Sequence, residues 1–266
     1  PKDIEQFNLS QKINTNINET TELEASLTIS SHSNDHYRPD IIDSRFLEAL
    51  NGTTLGQSNG NLVYWNIFDS SQNSQELIDY VRGAEVSSKD ASLNNLGLIF
   101  RSENDGYEIA YGFQYNNEKL KITYDDISTA EFDGDGKIIK SADLFFLGGG
   151  INLSKNRNNY AAFFEIQPKP IENLDLKIAG RFEEFENDSS FDPKFSFKYA
   201  ASENITLRAS KSSSFSMPSI AQMFSSDINL GSVRDFNGDS PFVRQAQIGN
   251  PDLKQATSNN INIGFI

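Results

Sequence analysis

The sequence alternates. In run after run, apolar residues take every second position and polar or charged residues take the positions between. That is the period of a β-strand whose two faces meet different surroundings. Glu22–Ser30 places Leu23, Ala25, Leu27 and Ile29 on one face and Glu22, Glu24, Ser26 and Thr28 on the other. Tyr107, Ile109, Tyr111, Phe113 and Tyr115 alternate with Glu108, Ala110, Gly112 and Gln114. The same holds for Leu174–Glu183, Phe191–Tyr199 and Ile205–Ser210. Across these five runs the apolar face carries no charge, while the other face carries both signs repeatedly. A soluble sandwich also alternates, so the period alone leaves a sandwich and a membrane barrel both open.

Lengths and connections separate them. Nine strands are expected, near 5–16, 21–31, 91–103, 107–125, 157–168, 173–187, 191–201, 204–213 and 258–266. Several exceed the five or six residues common in soluble strands. Ile17–Thr20, Asn104–Gly106, Lys169–Glu172 and Ser202–Glu203 are short turns. His32–Asp90, Asp126–Asn156 and Ser214–Thr257 are long connections, and the brief Asp188–Ser190 joins them at the same end of an up-and-down meander. Tight turns at one end and extended loops at the other mark an outer-membrane barrel. A soluble domain seldom carries three such structureless connections. Tyr107, Tyr160, Phe182, Phe191 and Tyr199 lie near strand ends, where interfacial aromatic girdles form.

Two strands fit less well. In 91–103, Leu96, Leu98 and Phe100 compete with Ile99 and Arg101. In 107–125 the parity flips at Asn116-Asn117, so Leu120, Ile122 and Tyr124 fall on the former polar face. Either a bulge or a strand rising above the bilayer would account for the flip.

Composition removes other classes. No apolar run approaches the ~18 residues of a membrane-spanning helix. There is no Cys, so disulfides, thiolate metal sites and cysteine nucleophiles are excluded. A net charge of -14 argues against general nucleic-acid binding. The start at Pro1, without a charged and then apolar leader, and the stop at Ile266 inside an alternating run suggest part of a longer chain.

Few motifs carry chemistry. Ser44–Gly52 and Ser74–Gly83 read as short helices with a Ser cap and a Gly stop, packed over a barrel mouth. Asp133-Gly134-Asp135-Gly136-Lys137 fails the calcium-loop pattern at Lys137, Ile138 and Leu144, and reads as a tight turn. Gly148-Gly149-Gly150 lacks the Lys-Ser/Thr of a phosphate loop. His32 and His36 read as solvated residues where a strand runs into a loop. No triad or zinc-protease motif is present, so neither enzyme, cofactor nor metal site is expected. Lys177, Arg181, Glu183, Asp192, Lys194, Lys198 and Arg208 are expected to face an aqueous lumen. Against lipid, charges at the midplane cost about 2–4 kcal/mol each.

Several segments carry a family resemblance. Phe191–Tyr199, Asn204–Lys211 and Phe215–Gln222 resemble a run typical of TonB-dependent outer-membrane receptors, as does Gly249-Asn250-Pro251-Asp252-Leu253-Lys254 before Thr257-Ser258. Leu144–Gly150, Tyr160–Glu165, and Tyr64–Phe68 with Gln75–Tyr80 are similar to that family's preceding segments. Ser216, and Gln255-Ala256, depart from its usual Arg and Pro-Glu. The resemblance implies an all-β, antiparallel transmembrane barrel of about 22 strands with an N-terminal plug. Residues 1–266 would be a partial barrel domain, the plug and the closing strand lying elsewhere. It implies an outer-membrane location in a Gram-negative bacterium. It also implies uptake of a scarce ligand such as a ferric siderophore, cobalamin or a glycan, driven by the TonB–ExbB–ExbD complex through the plug. Tyr64, Trp65, Phe68, Arg234 and Arg244 are the candidate ligand contacts in the long loops. A passive porin-like channel and a soluble β-sandwich module are the alternatives.

Overall fold

A computed structural model describes residues 2–55, 60–169, 172–186 and 188–266. Gly56–Asn59, Pro170, Ile171 at the third predicted turn, and Asn187 at the end of a predicted strand lie outside the described residues. In chain order the elements are β1 (Lys2–Asn16), β2 (Thr21–Ile41), α1 (Asp43–Asn51), a 3-10 turn (Ser70–Gln72), α2 (Gln75–Val81), β3 (Arg82–Asn104) and β4 (Tyr107–Tyr124). There follow β5 (Glu131–Phe132), β6 (Ile138–Lys140), β7 (Leu153–Pro168), β8 (Leu174–Phe185), β9 (Ser189–Ser202) and β10 (Ile205–Ser216). The chain closes with α3 (Ile220–Phe224), β11 (Asp227–Ser232), β12 (Phe242–Gln247) and β13 (Ala256–Phe265).

One antiparallel sheet of nine strands, in the order β1-β2-β3-β4-β7-β8-β9-β10-β13, holds every expected strand. The sheet does not close: β1 and β13 are its edges. The pairs β5–β6 and β11–β12 form separate hairpins in the long loops.

Register builds the outward face. Residues paired across strands point to the same side, so Leu23, Phe100, Tyr111, Phe164, Gly180 and Pro193 form one transverse row. Phe100 stacks on Tyr111 with centroids 5.1 Å apart. The rings of Phe164 and Phe191 close over Gly180, where a Cβ would lie 2.8 and 3.0 Å from them. Among the described residues no second layer covers this face. Phe113 is 58% exposed, Phe191 57% and Ile263 85%. A soluble sandwich would bury these side chains against an opposing sheet.

The parity flip in β4 is not a bulge. Its pairing with β3 and with β7 runs unbroken from Tyr107 to Ile122. Odd residues therefore keep pointing outward, and what changes is the surroundings. Leu96, Tyr115 and Tyr160 form the last apolar outward row on these strands. Two residues further along comes Asn94–Asn117–Asn158, followed by Ser92–Lys119–Asn156. The inward row beside the asparagines is also amide: Asn95 bonds Asn116, Asn116 donates to Asn159 at 2.7 Å, and Asn159 donates to Glu183 at 2.9 Å. An amide belt thus marks the upper edge of the apolar band, and Ile99 on the uneven β3 strand turns inward.

Beyond the belt the sheet continues, contrary to the expected loop start at His32. β2 and β3 stay paired up to Ile41–Arg82. Hydrogen bonding holds this extension together without lipid to impose alternation, so its pattern is invisible to a period-two search. Inward residues there become apolar. Ile122, Tyr124 and Leu153 form a buried cluster with Leu120 and Phe224. Ala49, Leu77 and Val81 form a second with Ile41, Phe46, Leu55, Trp65 and Tyr80. Both cores sit at the long-loop end.

Candidate functional site

The seven charges expected on the lumen side all share the sheet face opposite the apolar rows. Lys177 pairs with Glu165 at 2.7 Å, and Lys198 lies 3.6 Å from Asp175. Arg181 pairs with Glu183 and donates to Gln114 Oε1 at 2.9 Å. Asp192 accepts from Ser190 at 3.1 Å and from Ser213 at 2.8 Å. Lys194 and Arg208 make no ion pair among the described residues. Higher on the same face, Arg157 pairs with Glu118 at 2.6 Å and donates to Pro218 O at 2.6 Å. This face offers alternating fixed charges and free hydrogen-bonding groups, suited to water and to polar cargo.

The long loops fold into a cap over one end of that face. Asp40 is the pivot: its carboxylate accepts from the backbone N–H of Ile41 at 2.7 Å and of Leu147 at 2.7 Å, and also from Phe146. This ties the top of β2 to the segment before Gly148. There Gly149, at φ 67°, lies against Ser128 O, where an added Cβ would come within 1.9 Å. Only glycine permits that approach. Ser74 caps α2 by accepting from Leu77 N at 3.2 Å, as the sequence suggests. Ser44 does not cap α1. The helix starts earlier, and Ser44 instead donates from N and Oγ to Asp143 at 2.8 and 2.6 Å. Gly83 does not stop α2 either, because the helix passes straight into β3.

An aromatic chain crosses the cap: Trp65 meets Phe46 edge-on at 5.7 Å, Phe46 meets Phe145 at 5.6 Å, and Phe145 meets Phe146 at 4.7 Å. Tyr80 donates to Glu48 at 2.5 Å, with Arg45 over its ring. That hydrogen bond holds the Glu48 carboxyl below its ordinary pKa and pushes the Tyr80 hydroxyl up. Asp69 is likewise held low, by hydrogen bonds from Ser71 and Gln72. None of the described helices is long and apolar enough to cross a membrane.

The model of the family described as TonB dependent receptor-like, beta-barrel, matches residues 3–266. The chain belongs to the TonB-dependent receptor family. Its fold is also that of solved receptors. A mutant of the ferric enterobactin receptor PfeA from Pseudomonas aeruginosa aligns at TM-score 0.52 and 13% identity, over 99% of this chain and 40% of that one. PfeA in complex with the compound BCV-L6 aligns at TM-score 0.51 and 14% identity, over 99% and 41%. The copper transporter OprC aligns at TM-score 0.58 and 12% identity, over 98% and 36%. The chain thus spans about two fifths of the length of these receptors. No curated protein sequence matches it. Identities this low carry the fold alone.

In a TonB-dependent receptor the apolar band lies in the Gram-negative outer membrane, and the long-loop end is extracellular. The five loop candidates divide there. Trp65 is packed on the cap core, and Arg244 donates to Leu144 O at 2.6 Å and to Phe145 O at 3.3 Å. Both hold the cap together. Tyr64 stands 58% exposed beside Gly52, Phe68 is exposed in full, and Arg234 is exposed with no ion pair among the described residues. Phe46, Phe145 and Phe146 escape the sequence reading, although the Phe pair inside Leu144–Leu147 was the available signal. His32 and His36 are not loop residues. They lie on the inward face of β2, four residues apart, about 13 Å along a strand at ~3.3 Å per residue. That is too far to share an ion. The Asp133 turn is as expected: Asp133 Oδ1 accepts from Asp135 N at 3.1 Å and Lys137 N at 2.7 Å, closing the β5–β6 hairpin.

Proposed function

We propose that this chain forms part of the barrel wall of a receptor that takes up a scarce ligand (a ferric siderophore, cobalamin or a glycan) with energy from TonB–ExbB–ExbD. On this reading residues 1–266 are one segment of the barrel domain, and a plug domain couples it to TonB. The function is transport, not catalysis. The observation that carries the reading is the pairing of an uncovered apolar face with a charged inner face roofed by a folded cap. An open porin needs the first two features but no roof of this kind. Printed ligands of the fold neighbours, ferric enterobactin and copper, belong to those proteins and support the class only.

Tyr64, Phe68 and Arg234 are the proposed ligand contacts, with Trp65 and Arg244 positioning the loops that bear them. Uptake of radiolabelled candidate ligands by cells carrying the full-length receptor tests this. Uptake abolished by deleting TonB supports the reading. Uptake that is unchanged without TonB, and unsaturated at high ligand, replaces it with the passive channel.

A further inference from the structure

A cavity of about 560 Å³ lies on the inner side of the wall, between β1–β4 and the loop helix α3. That is the scale of small-molecule sites, about 300–1,000 Å³. Ser219, Ile220 and Ala221 form its cap side. Register fixes its wall side. Four inward rows cross β1, β2, β3, β4 and β7 here, from the row through Lys89 down to the row through Asn116. Their charged side chains are Lys89, Lys155, Arg157 and Glu118. Glu118 is taken by Arg157 at 2.6 Å. Lys89 and Lys155 make no ion pair among the described residues. Lys155 Nζ lies 4.6 Å from the centroid of the Phe224 ring, which leaves its charge uncancelled. Helix α3 adds no charge. The level above, around Tyr124, balances: Arg38 is paired with Glu85, and Lys2 is set against Asp227 of β11, whose charge reaches the Tyr124 hydroxyl. In a chain of net charge -14, the excess of positive charge is thus confined to the cavity.

The rest of the lining mixes apolar and donor groups. Leu93 is 44% exposed although it points inward, and Leu120 and Ile220 line the same space. Gln6 donates from Nε2 to His32 Nδ1 at 3.0 Å, which leaves the imidazole proton on Nε2, free to donate. We propose that this cavity selects cargo by negative charge, binding an organic anion with an apolar body. Lys89 and Lys155 hold the charge, His32 donates to it, and Leu93 meets the body. The inference rests on the transport reading and narrows its ligand. A neutral glycan leaves both ammonium groups unanswered, and a bare metal cation meets like charge.

The test is calorimetric binding to the full-length receptor in neutral detergent. Two iron(III) chelates of similar size serve as probes, a trianionic tris-catecholate and a neutral tris-hydroxamate. At about tenfold for each charge-assisted contact, the trianion should bind roughly 100-fold tighter than the neutral chelate. Lys89→Gln and Lys155→Gln should each remove about tenfold of that, while Lys89→Arg and Lys155→Arg should keep it. Ala91→Trp, which fills the cavity, should abolish the preference. Lys119→Gln, on the outer face of β4, should change nothing. Equal Kd values for the two chelates overturn the proposal, and so does a trianion affinity indifferent to Lys89→Gln and Lys155→Gln combined. In either case, uptake that still requires TonB leaves the transport reading intact. Uptake that ignores TonB removes the transport reading alone, because charge selection is measured on the isolated receptor.

Discussion

The apolar band and the extracellular cap bury their apolar side chains in opposite directions. In the band, Leu98, Phe113 and Phe164 point outward and remain uncovered, while the inward positions carry Arg181, Glu183 and Asp192. Above the amide belt the same strands send Ile122, Tyr124 and Leu153 inward against loop residues, and Lys119 and Lys121 outward. The backbone does not change between the two regions, since pairing through β4 is continuous. Only the solvent on the outer side changes, from hydrocarbon to water. One strand can therefore belong to two regimes of the hydrophobic effect, with its polarity reversing at a line set by lipid rather than by the fold.

The sharpest way to break that comparison is to empty the cap's core. Leu77 is 2% exposed. Leu77→Ala should cost about 2–5 kcal/mol of local stability, read as faster proteolysis of the loops. The strands below the amide belt should stay protected, because their apolar rows face outward and take no part in the cores at the long-loop end. Next in size is Phe113→Arg, which places a charge in the apolar band at about 2–4 kcal/mol, read by urea titration of refolding into liposomes. The same Arg introduced at Thr123, outward but beyond the belt, should cost little. Asp40→Ala should leave the Phe146 and Leu147 N–H groups without their acceptor, at roughly 1–3 kcal/mol, and loosen the 141–150 segment measured by hydrogen exchange.

The smallest effect is one of pH. Hydrogen bonding from Tyr80 depresses the Glu48 pKa in the folded cap. That contribution is fully present above the carboxyl's ordinary value and is lost as pH falls through the lowered one. Glu48→Gln should therefore flatten the acid limb of cap unfolding without moving that of the strands.

The band was legible in the sequence because lipid enforces it. Leu23–Ile29, Tyr107–Tyr115 and Leu174–Phe182 alternate cleanly, and the short and long connections sort to opposite ends. The extension was not legible. Ser31–Pro39 and Ala84–Asp90 are paired strand, yet water bathes their outer face and no rule forces alternation. Hence His32 and His36 read as loop residues. The cap's helices were visible, but not the partners of their termini, since Ser44 is tied to Asp143 about a hundred residues away in sequence. Among the candidate contacts, residue type alone did not distinguish Arg244, consumed by Leu144 and Phe145 carbonyls, from the free Arg234.

The orientation of β4 is the most direct test of the whole account. These 266 residues contain no Cys, so, with any cysteine elsewhere in the full-length receptor replaced, single cysteines can be placed along 107–123 and spin-labelled in a bilayer. Labels at Ile109, Tyr111 and Phe113 should be open to oxygen and closed to a water-soluble nickel chelate, and the preference should reverse by Lys119 and Lys121. Labels at Ile109, Tyr111 and Phe113 shielded from both reagents would mean that protein, not lipid, covers this face, and would contradict the membrane-spanning wall.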